Sequence, residues 1–143
     1  MTKQVDAARL WAGGVATAVV AGLIAIAGIL VARGLFDVAV LAPKGEGVWG
    51  DADTPKYALW CALAALVATG LLHLLLVTTP RPVRFFQWII GLATVVAAVA
   101  PFGTNGSLES QIATALINLI VGIAVGALMT GVARTALREP RPA

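Results

Sequence analysis

Residues 112–133 read IATALINLIVGIAVGALMTGVA, an uninterrupted run without a single charged side chain. A helix rises about 1.5 Å per residue, so this run covers about 33 Å, enough to cross the roughly 30 Å of a bilayer's hydrocarbon. A soluble helix of that length would show a polar face. Here Asn118 is the one strongly polar residue, and the charges stand outside the run, with Glu109 before it and Arg134 after it. The stretch reads as a transmembrane span.

The same pattern occurs three more times upstream. Residues 10–32 contain no charge, and residues 57–77 are interrupted only by His73. The third run, 84–101, is shorter, opens on Arg84 and needs Val83 or Phe102 at the interface to complete a crossing. The fold expected is therefore all-α: a polytopic membrane protein with four transmembrane helices in an antiparallel bundle. It forms a single domain over 1–143, with an outer loop at 33–56.

The totals agree. Of 143 residues, 59% are hydrophobic and only 12% charged, with mean hydropathy +0.92; soluble domains carry about 25% charged residues. The net charge of +3 comes from arginines and lysines that flank apolar runs and form no contiguous basic face, so nucleic acid is not an expected partner. The single cysteine, Cys61, excludes an intrachain disulfide and a thiolate metal cage, and within an apolar run it reads as a small buried thiol.

The boundaries have local causes. Asp53 and Thr54 are placed to cap the second helix, with Pro55 in its first turn. Thr79-Pro80-Arg81-Pro82 forces a tight turn before the third, because a residue preceding proline avoids helical geometry. Pro101 and Gly103-Thr104-Asn105-Gly106 end that helix, and Ser107 can cap the fourth with Glu109 in its first turn. The first run carries Ala25-Ile26-Ala27, which mimics a signal-peptide cleavage site, but its apolar stretch continues to Ala32 and is too long for a signal core.

Orientation follows from basic residues in short loops. With the N-terminus cytoplasmic, the inner segments hold Lys3, Arg9, Arg81, Arg84, Arg134, Arg138 and Arg141, and the outer ones hold Arg33, Lys44 and Lys56. Arg33 has Asp37 one helical turn further on as a partner. Trp11, Phe85, Phe86 and Trp88 fit an inner aromatic belt, and Tyr57 and Trp60 an outer one. Both termini are expected in the cytoplasm of a bacterial cell whose plasma membrane the chain crosses.

Lipid tails are as apolar as leucine, so helices associate through small residues and interhelical hydrogen bonds. The first span offers Gly14, Ala18, Ala21, Ala25, Gly28 and Ala32 at steps of four and three, and the fourth offers Asn118, Gly122 and Gly126 at steps of four. These are the candidate packing faces, within the bundle or between two copies. His73 and Asn118 are the candidate intramembrane polar residues. Both read as hydrogen-bonding groups, since a proton relay needs successive titrating groups at one depth and none accompany His73. In the outer loop Trp49, Asp51 and Asp53 stand out, yet the two acids lack the remaining oxygen ligands of a calcium loop and read as solvation and helix capping.

No nucleophile elbow, phosphate loop, zinc-helix motif or paired-cysteine motif occurs. No catalytic, metal or cofactor-binding residue is therefore named. The alanine-rich first span, the outer loop, the turn TTPRPVRFF, the stretch LATVVAAVAPF and a last span containing ATALINLIVGIAVG together resemble a family of small actinobacterial four-helix membrane proteins of unknown function. The resemblance implies the four-helix architecture and brings no functional residues with it. The reading is a non-enzymatic accessory or structural membrane subunit, partnered by the bilayer and by other membrane proteins or itself. The alternative is an oligomeric channel or small-solute transporter.

Overall fold

The computed structural model describes residues 5–36 and 54–137, with the backbone alone at Thr54. Four helices follow in order: α1 (Ala7–Leu35), α2 (Thr54–Thr78), α3 (Pro82–Val99) and α4 (Leu108–Ala136), and a 3-10 turn, Ala100–Gly103, prolongs α3. No strand occurs among the described residues. All four helices are long and apolar enough to cross a membrane, which makes the chain a multi-pass, all-α membrane protein. The 29 residues of α1 and of α4 correspond to about 43 Å, longer than the hydrocarbon layer, so their ends stand in the interfaces or the helices tilt.

Each helix stops where its local chemistry requires. The Asp6 carboxylate accepts the Arg9 backbone N–H at 3.0 Å and caps α1. The Ser107 hydroxyl accepts the Ser110 N–H at 3.3 Å at the start of α4, with Glu109 in its first turn. α2 ends at Thr78, and α3 opens with Pro82, where no amide proton is needed. Of the two groups expected to cap α2, Asp53 lies outside the described residues and Thr54 is the first residue of the helix. Asp37, the expected partner of Arg33, also lies outside them.

Neighbouring helices run antiparallel. Between α1 and α2, Trp11 meets His73 and Gly14 meets Thr69. Between α1 and α4, the Asp6 N–H donates to the Ala136 carbonyl at 3.3 Å, Gly13 faces Val132 and Gly28 faces Ile117. Between α3 and α4, Ile90 faces Gly126 and Thr94 faces Gly122. α2 and α4 sit across the bundle and run parallel, joined by Tyr57 with Asn118 and by Thr69 with Met129. Among the described residues α1 and α3 do not touch.

The core is built from small and branched side chains. Ala18, Ala21, Ala25 and Ile29 of α1 pack with Ala65, Ala68 and Leu72 of α2 and with Val121, Val125 and Met129 of α4. Phe86 is the one buried residue of α3. Two aromatic residues expected in interfacial belts are thereby reassigned: Phe86 is fully buried, and Tyr57 is buried with its hydroxyl turned into the bundle. The outside carries Trp60, Trp88, Leu92, Val96 and Ile123, all exposed. So extensive an apolar surface is unsuited to water and suited to lipid.

Candidate functional site

Polar chemistry within the spans gathers at two places, one toward each end of the bundle. The first begins with a proline. In an α-helix the carbonyl of residue 97 accepts the N–H of residue 101, but residue 101 is Pro101 and has none. The helix tightens to 3-10 from Ala100, and the Ala97 carbonyl is satisfied from outside: the Asn118 side-chain amide donates to it at 2.7 Å. The amide oxygen of Asn118 accepts the Tyr57 hydroxyl. One side chain therefore joins α2, α3 and α4 and satisfies a carbonyl that would otherwise stand unpaired in hydrocarbon, where such a group costs several kcal/mol (roughly).

Nearby, the loop between α3 and α4 is braced in the same manner. The Gln111 amide donates to the carbonyls of Thr104 at 2.8 Å and Gly106 at 3.2 Å, while the Thr104 hydroxyl donates to the Pro101 carbonyl at 2.6 Å. These contacts hold the entrance of α4 in place and keep Asn118 opposite Ala97.

The second place lies at the other end, beside the turn at 79–81. There the Trp11 indole N–H donates to His73 Nδ1 at 3.0 Å, with the rings edge-on at 67°. A nitrogen that accepts carries no proton, so in this contact the ring N–H is left to Nε2. His73 is half-buried and Trp11 is 40% exposed, so the bond lies on the flank of the bundle. The sequence marks His73 as a hydrogen-bonding residue without naming its partner; Thr17 and Thr130 are polar residues of the neighbouring spans. The partner is Trp11, which had been read as an interfacial aromatic. Thr17 and Thr130 instead donate to the carbonyls of Gly13 and Gly126 in their own helices.

The small-residue faces divide between partners. Gly14, Ala18, Ala21 and Ala25 are buried and Gly28 is half-buried. A Cβ on Gly14 would lie 2.9 Å from the Thr69 Cβ on α2, and one on Gly28 would lie 2.8 Å from Ile117 Cγ1 on α4. The same face thus meets two helices, which is why α1 takes a central position. Asn118, Gly122 and Gly126 are half-buried and turn toward α3. A Cβ on Gly122 would lie 2.8 Å from that of Thr94, and one on Gly126 would lie 3.2 Å from Ile90 Cγ2. Gly13, which the reading of the sequence passed over, faces Val132 at 2.6 Å by the same measure. The outer-loop residues Trp49, Asp51 and Asp53 lie outside the described residues.

On the outer side of the α3–α4 contact runs a groove of about 510 Å³. Its walls are Gln87, Gly91, Thr94 and Val95 of α3 and Leu119, Gly122, Ile123, Gly126, Thr130, Gly131 and Arg134 of α4. Thr94 and Thr130 donate their hydroxyls to backbone carbonyls of their own helices. The polar groups left facing the groove are therefore at one end, Gln87 and Arg134.

Compared with known proteins, residues 5–135 match the model of a family of unknown function, DUF6069. No curated protein and no solved structure matches the chain.

Proposed function

Because the chain belongs to the DUF6069 family of unknown function, no activity comes with its relatives, and we propose that it is a non-enzymatic accessory subunit of the bacterial plasma membrane, acting through lateral helix contacts. The observation that carries this reading is the position of α3. It packs chiefly on α4, and leaves Trp88, Leu92, Val95, Val96 and Val99 exposed along its length. A transmembrane helix of another protein can lie against that face without disturbing the core. Asn118 and His73 are engaged in hydrogen bonds that join helices of the bundle, which supports a scaffold over a solute path.

A photo-crosslinking side chain at Leu92 or Val96 tests this directly. In cells it is expected to give discrete protein adducts, whereas the same group at exposed Val19 of α1 gives none. Adducts at neither position, together with solute flux in liposomes that depends on the protein, would favour the channel or transporter reading.

The distribution of basic residues supports cytoplasmic termini, since seven of the ten fall on that side. With Cys61 replaced by alanine, cysteines at Gly47 and Gly103 should react with impermeant maleimide in intact cells, and one at Arg81 should not. Labelling at position 81 without lysis would reverse the orientation.

A further inference from the structure

We propose that the α3–α4 groove seats one acyl chain of an anionic phospholipid, with the lipid phosphate held at Arg134. This rests on the membrane reading of the chain, and of the α3 residues offered to a partner only Val95 also lines the groove. The first support is length. From Arg134 to Leu119 the groove follows 15 residues of α4, about 22 Å at 1.5 Å per residue. That covers the hydrocarbon depth of one leaflet, about 15 Å as half of the hydrocarbon thickness, together with its headgroup region.

The second support is where the polarity stands. Arg134 belongs to the last turn of α4, and Gln87 of α3 lines the groove toward the same end, both exposed. Arg84, also exposed, precedes Gln87 by one turn. Among the described residues no carboxylate lines the groove, and the ion pair seen among them joins Arg9 and Asp6 instead. A phosphate at this end meets a guanidinium and an amide at the level of the headgroups, and the tail then follows apolar walls inward.

The third support is what the groove floor excludes. Glycines on a membrane helix commonly admit the backbone of a second helix, but the space over Gly122 and Gly126 is already taken by Thr94 and Ile90 of the same chain. Gly91 and Gly131 have nothing within 4 Å of where a Cβ would stand. What remains open suits a slender flexible chain better than a helix about 10 Å across. The volume of about 510 Å³ falls within the ~300–1,000 Å³ of small-molecule sites.

The test is native mass spectrometry of the detergent-purified protein with phosphatidylglycerol or phosphatidylcholine of identical tails. The wild type should retain phosphatidylglycerol in preference. Arg134→Gln should weaken that retention roughly fivefold, the scale of one basic residue at a charged membrane surface, and weaken phosphatidylcholine less, because its choline cation offsets the phosphate charge. Gly131→Leu fills the groove where no contact opposes it, so it should lose both lipids with its melting temperature retained. Equal retention of the two lipids by the wild type would overturn the proposal. So would phosphatidylglycerol retention that survives both substitutions, or a protein dimer in place of the lipid adduct.

Discussion

α1 and α3 are both apolar enough to cross a membrane, yet they hold opposite positions in the molecule. α1 buries Leu10, Gly14, Thr17, Ala18, Ala21, Ala25, Ile29 and Ala32, whereas α3 buries Phe86 alone. In water the more apolar helix tends to go inside because burial removes it from solvent. In lipid that force is absent, and the helix whose side chains are small at regular steps becomes central because neighbours can come close to it. α1 has such steps on a face shared by α2 and α4. α3 presents Ile89, Leu92, Val95, Val96 and Val99 outward, and these hold neighbouring backbones at a distance.

The sharpest way to break this comparison is to enlarge a small residue on α1. Gly14→Leu drives a branched side chain into Thr69, itself fully buried on α2. Loss of about 3 kcal/mol is expected, the upper range for overpacking a filled core. Exposed Val96→Leu on α3 should stay within about 0.5 kcal/mol. Reversible unfolding in mixed micelles measures both. Comparable costs at the two positions would mean that α1 is no more central than α3.

Next in size is Asn118→Leu. It leaves the Ala97 carbonyl without a donor and takes one acceptor from the Tyr57 hydroxyl, which can rotate, so a cost of about 2 kcal/mol is expected, chiefly from the unpaired carbonyl. Replacing Pro101 by alanine in the same chain restores an N–H for Ala97. If the proline is the reason the amide is needed, Pro101→Ala should recover part of the loss in the Asn118→Leu background and little in the wild type. Equal effects of Pro101→Ala in both backgrounds would separate the two residues.

Gly126→Leu then asks how firmly α3 is held. Ile90 stands 3.2 Å from the added Cβ and has to shift, so a loss of about 1–2 kcal/mol is expected. Gly131→Leu enters open space one helical turn beyond and should cost little. A melting series on the two variants decides between them. If both are silent, α3 is free to move away from α4 and the groove has no fixed width.

These sites differ in how far they could be read before the fold was known. The four spans, the turn at 79–81 and the Ser107 cap follow from charge-free length, proline geometry and a hydroxyl at a helix start, which are local properties. The stripes Gly14–Gly28 and Gly122–Gly126 were visible as spacing, but their destinations were not, because spacing says that a neighbour comes close and not which one. Asn118 was recognisable as a polar contact. Its partners, Tyr57 and the Ala97 carbonyl, depend on the order in which helices pack, although Pro101 marks the orphaned carbonyl four residues earlier in the sequence itself. The groove was not legible at all, since it lies between two helices and depends on which of them pack together.

The smallest expected effect concerns the flank of the α1–α2 contact. The Trp11 indole N–H and His73 Nδ1 lie 3.0 Å apart, but Trp11 is 40% exposed, so either group can find water or a lipid headgroup when the other is lost. Interhelical hydrogen bonds in membranes average about 0.6 kcal/mol when measured as couplings, and this one is expected near that value. His73→Gln keeps an acceptor within reach of the indole and should be almost silent, while His73→Leu should cost up to about 1 kcal/mol. The decisive measurement is a double-mutant cycle with Trp11→Phe, which removes the donor and retains an aromatic ring. A coupling near 0.6 kcal/mol makes the bond a real, if minor, fastening between α1 and α2. A coupling of zero would show that the two rings merely meet at the surface, and the cohesion of that pair would then rest on Gly14 and Thr69 without help from His73.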